Sequence, residues 1–252
     1  PLGAAICVYF LIRDHHPLLA LLAAGLLGGV AGIVTGLLHT KLRIPSLLAG
    51  ILSMIALYSV NLRIMGKANV SLLGKETAFT YMETLGLDYA QSVFIVGLLA
   101  TVVIGTLIYW FFGTEIGAAI RATGFNPQMI RAQGIDTNVM LLLGLFLSNA
   151  LTAMAGAFIG MNNGFFDVGM GVGTIVIGLA SVIIGEVLFG TRSFKNSLVS
   201  VILGSIVYRF VIAIVLQMGM PPNDLKLFTS VLVVIALALP MMRDKVQRRK
   251  VG

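Results

Sequence analysis

Charged residues are scarce in this chain of 252 residues. They make up 11% of it and hydrophobic residues make up 58%, with a mean hydropathy of +1.00. Soluble globular proteins contain about a quarter charged residues, so this composition excludes that class. It predicts an all-α, polytopic membrane protein. The net charge of +7 would suggest a nucleic-acid partner in a soluble chain, but in a membrane protein basic residues report topology instead.

Cysteine and the common catalytic signatures are also missing. The single cysteine, Cys7, excludes an internal disulfide and any multi-cysteine metal site. His15, His16 and His39 lie beside expected membrane boundaries without the spaced Cys, Asp or Glu residues that a metal site needs. The sequence has no G-x-x-x-x-G-K-S/T motif, so by this signature it does not bind ATP itself. We therefore predict no enzyme activity, no bound cofactor and no metal, and any energy source must be a partner protein.

Long apolar runs predict about eight membrane spans, since about 20 helical residues cross the hydrocarbon core. The first run, residues 1–12, is too short to cross and is interpreted as the end of a truncated helix. A signal peptide is the competing interpretation, but no basic region precedes the run and no small-residue cleavage site follows it. The other predicted spans are Leu18 to Leu38, Pro45 to Arg63, Gln91 to Phe112, Asn138 to Met161, Thr174 to Phe189, Ser197 to Leu216 and Leu225 to Met242.

Basic residues divide unequally between the two sets of loops. One set contains only Arg13, Lys67, Lys75 and Lys226, with Arg63 at a boundary. The positive-inside rule places the richer set in the cytoplasm, together with the C-terminus. The richer set consists of Lys41, Arg43, Arg121, Arg131, Arg192, Lys195, Arg243, Lys245, Arg248, Arg249 and Lys250.

One of these cytoplasmic loops, residues 113–137, has the pattern of two short helices outside the membrane, and we call it the elbow. Thr114 is placed to cap the first helix and Gly124 to end it. Asn126-Pro127 is a cap followed by proline at the first position of the second helix, which Gly134 then ends. A structured elbow offers a surface that another protein can bind, so a docking site for a partner protein is the leading hypothesis.

The span that follows the elbow places small and polar residues along one helical face. Asn149, Thr152, Gly156, Gly160 and Asn163 succeed one another at spacings of three or four residues. Polar groups at membrane depth need partners or water. Asn149 and Thr152 therefore either hydrogen-bond neighbouring helices or line a wet pathway.

The segment after this span, residues 162–173, is rich in glycine and contains the adjacent aromatics Phe165 and Phe166. We expect irregular or re-entrant backbone there, in which a gate could be built. The longest outer connection, residues 63–90, is long enough to hold a short helix or a hairpin.

Glycines recur at helical spacing in the second span. Gly25, Gly29, Gly32 and Gly36 would let another helix approach closely. Packing within the bundle is the first interpretation, and a seam between subunits is the second.

Two charges lie inside predicted spans, Glu186 and Arg209. Placing each charged side chain at the bilayer centre would cost about 3 kcal/mol, so we expect both residues to have a structural or functional role. Along antiparallel helices they differ in depth by roughly 14 Å, which makes a direct ion pair doubtful. Structural pairing or snorkelling of Arg209 is one interpretation, and contact with a substrate is the other.

Parts of the elbow sequence also resemble a known family of proteins. The stretches Glu115 to Ala122 (EIGAAIRA), Asn126-Pro127 and Ala132 to Ile135 (AQGI) closely resemble the cytoplasmic coupling loop of ABC importer permeases. Over residues 20–240 the chain is similar to the branched-chain amino acid and ribose-type permeases.

Further segments show the same likeness. Ala155 to Gly173 and Gly178 to Gly185 resemble the glycine-rich outer segment and the following span of that family. Ala68 to Gly74 looks like an uncharacterised permease subgroup linked to aromatic amino acid uptake. Glu186 to Gly190 departs from the family, because it replaces the usual glycine-rich turn.

The resemblance implies the permease subunit of an ATP-driven importer. It implies a homodimeric or pseudo-dimeric pore formed with a second permease copy, two cytoplasmic ATPase subunits that hold ATP and Mg, and an outer solute-binding protein. It also implies one transmembrane permease domain over residues 1–252 in the bacterial inner membrane. The elbow residues that would couple to the ATPase are Glu115, Gly117, Ala118, Arg121, Ala122, Gly124, Asn126, Pro127, Arg131 and Gly134.

We expect a small solute, best matched by an amino acid, to pass through this subunit. The candidate pathway residues are Asn149, Thr152, Asn163, Phe165, Phe166, Glu186 and Arg209. The alternative is an ion- or proton-coupled secondary transporter that uses Glu186 and Arg209. Uptake that survives ATP depletion but collapses with the ion gradient would favour that alternative.

Overall fold

A computed structural model describes residues 1–83, 86–171 and 174–219, and single residues 224, 227, 228, 230, 231 and 234. Two short strands, β1 (Asn69–Ser71) and β2 (Phe165–Asp167), accompany the helices, and a 3-10 turn follows at Val168–Gly171. The helices are α1 (Leu2–Ile12), α2 (Pro17–Thr40), α3 (Ser46–Met65), α4 (Thr80–Glu83), α5 (Tyr89–Phe112), α6 (Glu115–Phe125), α7 (Pro127–Ala132), α8 (Thr137–Asn163), α9 (Thr174–Phe189) and α10 (Phe194–Gln217).

The helical membrane fold predicted from the sequence is confirmed. Among the described residues, six stretches are long and apolar enough to cross a membrane: α2, α3, α5, α8, α10 and Val168–Phe189, which contains α9. The corresponding helix ends agree with the sequence expectation to within three residues. The last predicted span, Leu225 to Met242, lies almost wholly outside the described residues.

Helix α1 lies in the centre of the first compact unit, Pro1–Gly171. It is apolar on every side, and Ala4, Ala5, Cys7 and Val8 are all buried. A helix without a polar face is typical of a protein core or a membrane span, and α1 packs against α2, α3 and α8. The approach to α8 is close, because a Cβ at Gly3 would overlap the backbone of Ala153.

The glycines of α2 form a seam with α8, as the packing interpretation predicted. A Cβ on Gly32 would overlap the carbonyl oxygen of Leu145 and lie 2.9 Å from the Cβ of Asn149. Gly28, which the sequence pattern missed, faces Ala153 in the same way. Larger residues would force the helices apart, so this stripe sets the α2–α8 distance.

Two outer segments that are far apart in sequence pair with each other. Strand β1 is antiparallel to β2, with Val70 opposite Phe166. The ring of Phe166 is fully buried and occupies the space that a side chain at Gly160 would need. The connection between α3 and α5 thus contains a strand and the short helix α4, and in the described part of the glycine-rich segment α8 ends at Asn163 and is followed by β2 and the 3-10 turn.

In the second compact unit, Val172–Gly252, the described residues mainly form the hairpin of α9 and α10. A Cβ at Gly204 would overlap the Ser181 carbonyl oxygen and fall 2.6 Å from the Cα of Gly185. The turn adopts a left-handed conformation at Gly190, with φ +78°. The Ser200 hydroxyl donates to the Gly190 carbonyl oxygen at 2.7 Å, which ties the turn to α10.

Candidate functional site

The elbow begins with α6 folded tightly against the end of α5. The Thr114 hydroxyl accepts a hydrogen bond from the Gly117 N–H at 3.3 Å and donates to the Phe111 carbonyl oxygen at 2.6 Å. A Cβ at Gly117 would overlap that carbonyl oxygen and lie 2.5 Å from the Cα of Phe112. Only glycine therefore permits this angle between the span and the elbow.

The second elbow helix has the predicted start and end. The Met129 N–H donates to Asn126 Oδ1 at 3.1 Å, and Pro127 occupies the first turn. Gly134 follows α7 with φ +82°, a left-handed conformation that suits glycine. The expectation for Gly124 was wrong by one residue, because α6 continues to Phe125. The Asn126 cap rather than the glycine sets the boundary between the two helices.

The elbow is also tied to the start of α8. Arg131 Nε donates to Thr137 Oγ1 at 2.7 Å, and Thr137 is buried. Ile130 is buried as well, and the Ile120 side chain lies 3.5 Å from the position of a Cβ at Gly144. The elbow is therefore joined by direct contacts to the spans on both of its sides.

Three apolar side chains point away from this anchored framework. Phe125 is 88% exposed, Ile116 is 52% exposed and Met129 is 47% exposed. Sequence reasoning did not select them, although large apolar residues in an otherwise polar loop were a usable signal. Exposed apolar groups beside charged ones are typical of a protein-binding surface.

The structure places most of the predicted coupling residues on the elbow surface. Gly117 is buried, Ala122 is half-buried and Arg131 is exposed while bonded to Thr137. Gly117 and Arg131 therefore shape the elbow in this structure. The others are exposed: Glu115, Ala118, Arg121, Gly124, Asn126, Pro127 and Gly134.

The side chains of Asn149 and Thr152 form hydrogen bonds to the backbone of their own helix, α8. Asn149 Nδ2 donates to the Leu145 carbonyl oxygen at 2.9 Å, and the Thr152 hydroxyl donates to the Ser148 carbonyl oxygen at 2.8 Å. One interpretation of the sequence predicted hydrogen bonds from these side chains to neighbouring helices. The bonds that form instead lie within α8. Asn149 packs on α2, whereas Thr152 is exposed and remains a candidate for the pathway.

The aromatic pair after α8 is divided between two environments. Phe165 is 41% exposed and Phe166 is fully buried, as expected for adjacent residues of a strand. Asn163, at the end of α8, is exposed. Phe166 thus belongs to the core beneath the β1–β2 sheet, and Phe165 and Asn163 are the exposed members of the predicted pathway set in this region.

Both intramembrane charges, Glu186 and Arg209, are exposed on the hairpin of α9 and α10. In the described part of the chain there is one salt bridge, Lys75 with Asp14 at 2.7 Å. The two charges therefore do not pair directly, in agreement with their predicted difference in depth. Nor do the described residues contain a cluster of His, Cys, Asp and Glu suited to a metal.

A bundle of apolar helices with an anchored elbow between two spans defines the class of multi-pass membrane proteins. The comparison with known families agrees with this class. The chain belongs to the family described as branched-chain amino acid transport system / permease component, whose model matches residues 2–238.

Individual relatives are permeases or uncharacterised proteins. The "Tyrosine transport system permease protein" of Clostridioides difficile is 39% identical over 237 residues, which is 94% of this chain and 78% of the relative. An uncharacterized protein of Rickettsia prowazekii is 31% identical, covering 89% of this chain and 80% of its own length. The "Autoinducer 2 import system permease protein LsrC" of Yersinia pseudotuberculosis is 26% identical, covering 79% of this chain and 55% of its own length. No solved structure matches this chain.

Family membership decides between the two transport hypotheses. The chain is the permease component of an ABC-type transport system, and such a system implies ATPase and binding-protein partners. The relatives are permease subunits and not enzymes. The ion-coupled carrier based on Glu186 and Arg209 has no support from these relatives or from the geometry of the two residues.

Proposed function

We propose that this chain is the permease subunit of an ATP-driven importer that moves an aromatic amino acid, tyrosine in particular, across the bacterial cytoplasmic membrane. The observation that supports the substrate is the 39% identity to a tyrosine transport permease along 94% of the chain. A solute-binding protein delivers the amino acid to the outer face, and the whole chain acts as one permease domain.

The elbow is the proposed dock for the ATPase. Its backbone is anchored to α5 through Gly117 and to α8 through Arg131. Its outward surface presents Phe125 together with the charged Glu115 and Arg121. An exposed apolar anchor with a charged residue one helical turn away suits a groove on a partner protein. ATP and Mg are bound in that partner, and this chain transmits the movement.

The orientation of the chain follows from its basic residues. The set of loops that includes the elbow contains eleven basic residues, whereas the set that includes the segments around β1 contains four, with Arg63 at a boundary. The positive-inside rule therefore places the elbow in the cytoplasm and the β1–β2 sheet outside. A second copy of the chain completes the pore as a homodimer.

Transport in this proposal couples two opposed events. Docking of the loaded binding protein outside and closure of the ATPase on the elbow favour different openings of the pore. A ligand shifts such an equilibrium only by its differential affinity for the two states. The rigid attachment of the elbow to α5 and α8 is what lets ATPase closure reach the spans.

Uptake by the complete system tests this function. The chain is produced with its own ATPase and binding protein, and uptake of labelled tyrosine, leucine and ribose is measured in cells. We expect tyrosine uptake that stops on ATP depletion and persists when an ionophore collapses the ion gradients. An ATPase variant that binds but does not hydrolyse ATP is the matched control.

Two results would contradict the proposal in different ways. Uptake of leucine or ribose but not tyrosine would show that the proposed substrate is wrong, while the proposal of an importer would stand. Uptake that depends on the ion gradient and not on ATP would contradict the proposal of an ATP-driven importer.

A further inference from the structure

Arg209 lies on the face of α10 that does not pack against α9. The packed face consists of Ser200, Gly204 and Tyr208, all buried. At a rise of about 1.5 Å per residue, Arg209 is about 12 Å from the end of α10 at Gln217 and about 22 Å from its start. The backbone of Arg209 therefore lies within the membrane-spanning length of the helix.

An open groove of about 390 Å³ surrounds this side chain, lined by Ser205, Ile206, Arg209, Phe210 and Ala213. Ser205 and Ala213 lie one turn before and one turn after Arg209, and their small size leaves space on both sides of the guanidinium. Phe210, which is 68% exposed, lies beside it. The groove thus combines one permanent positive charge with an aromatic surface.

Nothing in the described part of the chain neutralises this charge. The salt bridge found there joins Lys75 to Asp14, α10 has no acidic residue, and the one acid of α9, Glu186, is not paired with Arg209. A guanidinium cannot lose its proton in a protein. Charged residues inside spans almost always face a bundle interior or a water-filled cavity. An anion in an aqueous pathway is the partner that this geometry lacks.

The Ser205 hydroxyl adds a second polar contact to the groove. It donates to the Ile202 carbonyl oxygen at 2.7 Å. Its proton is thereby used, and its lone pairs remain available to an N–H donor. A ligand with an anionic end and an ammonium group fits this pair of residues better than a neutral sugar does.

We propose that Arg209 binds the carboxylate of the transported amino acid, with Phe210 against its aromatic side chain, as a transient site within the pore. This inference rests on the proposed function and names the chemistry that the permease itself recognises. Arginine suits the role because its planar guanidinium binds a carboxylate through two parallel hydrogen bonds. The binding protein selects the solute first, and this site then guides its charged end through the apolar span.

The first experiment measures tyrosine uptake by the complete system in proteoliposomes with Arg209→Gln, Arg209→Lys and the control Arg63→Gln. Arg63 is an exposed cation at the end of α3, so its variant removes the same charge elsewhere. We expect Arg209→Gln to lose about 10- to 100-fold in uptake, the range for one charge-assisted hydrogen-bond pair. Arg209→Lys should keep part of the activity, and Arg63→Gln should stay near the wild type.

Assembly is monitored in the same samples. The amount of ATPase that co-purifies should be unchanged in Arg209→Gln, which separates lost recognition from lost folding. The affinity of the separate binding protein for tyrosine does not depend on the permease variant. Uptake by Arg209→Gln within twofold of the wild type would overturn the carboxylate site.

The second experiment tests whether the groove holds water and a carboxylate, and it needs no transport. Cysteine replaces Ala213 in the groove or Ser200 in the α9–α10 seam, and Cys7, which is buried, is replaced by serine. We expect a water-soluble thiol reagent to modify Ala213→Cys but not Ser200→Cys. Excess tyrosine should slow the modification, whereas tyramine, which lacks the carboxylate, should not.

The outcomes distinguish the inference from the function on which it rests. Modification of Ala213→Cys only by a membrane-soluble reagent would show that the face contacts lipid and would overturn the site. Equal protection by tyrosine and tyramine would overturn the carboxylate assignment. If the wild type transports no amino acid, the proposed function fails, and the protection experiment still decides the site.

Discussion

At the residue scale, single glycines decide how closely the backbones in this protein approach. Gly117 lies directly against the last turn of α5, and Gly204 lies against α9. Other glycines have free space around them, as Gly97 does in α5. The same residue type therefore has different consequences that only the neighbours reveal.

Gly117→Ala and Gly97→Ala form a matched pair that tests this difference. Alanine favours a helix over glycine by about 1 kcal/mol, so Gly97→Ala should keep or raise the melting temperature. The Cβ at position 117 would meet backbone that cannot move aside, and overpacking costs about 1–3 kcal/mol. Gly117→Ala should therefore lower the melting temperature of the purified permease and reduce ATP-driven uptake. An equal effect of both variants would disprove the close-approach argument.

At the element scale, the elbow is a structured surface with one prominent apolar group. The helices α6 and α7 are capped by Thr114 and Asn126, and the turn between them presents Phe125. The outer connection presents a comparable apolar residue, Leu73, which is 91% exposed. The proposed orientation assigns these two side chains to different partners.

Phe125→Ser and Leu73→Ser test the docking surface. Burial of a large apolar side chain contributes about 1.5–3 kcal/mol, so Phe125→Ser should lower ATPase co-purification about tenfold or more. Leu73→Ser should leave the ATPase bound. Arg121→Glu should act like Phe125→Ser, because it changes the charge beside the same anchor. Full retention of the ATPase by Phe125→Ser would place the dock elsewhere.

At the scale of the whole molecule, the proposed topology assigns the elbow and the β1–β2 sheet to opposite sides of a membrane. Helix α5 connects the two, running from Tyr89 beside the outer segments to Phe112 at the elbow. The Tyr89 hydroxyl donates to the Asn162 carbonyl oxygen at 2.6 Å, so the outer ends of α5 and α8 lie together.

Labelling of intact cells tests this topology. A membrane-impermeant thiol reagent should modify Leu73→Cys directly and should modify Phe125→Cys only after the cells are opened. The native Cys7 is fully buried and should give no background. Modification of both positions from the same side would contradict the orientation and, with it, the position of the dock.

Local patterns in the sequence predicted most of the elements. Helix spans, the two-helix elbow and the caps at Thr114 and Asn126 depend on residues close in sequence, so composition and spacing sufficed. Phe125 was missed, because exposure at the boundary of two helices depends on how those helices pack. The own-helix bonds of Asn149 and Thr152 also escaped prediction, since a polar side chain in a helix can bond either its own backbone or a neighbour.

The sequence by itself determined that this protein is a bundle of membrane helices with a structured elbow, because hydropathy and capping act over a few turns of chain. Only the tertiary structure decided which residues meet. The pairing of β1 with β2, the burial of Phe166 against Gly160 and the backbone contact of Gly117 with α5 join residues through packing and steric fit. Such contacts depend on the positions of whole elements, and no local pattern records them.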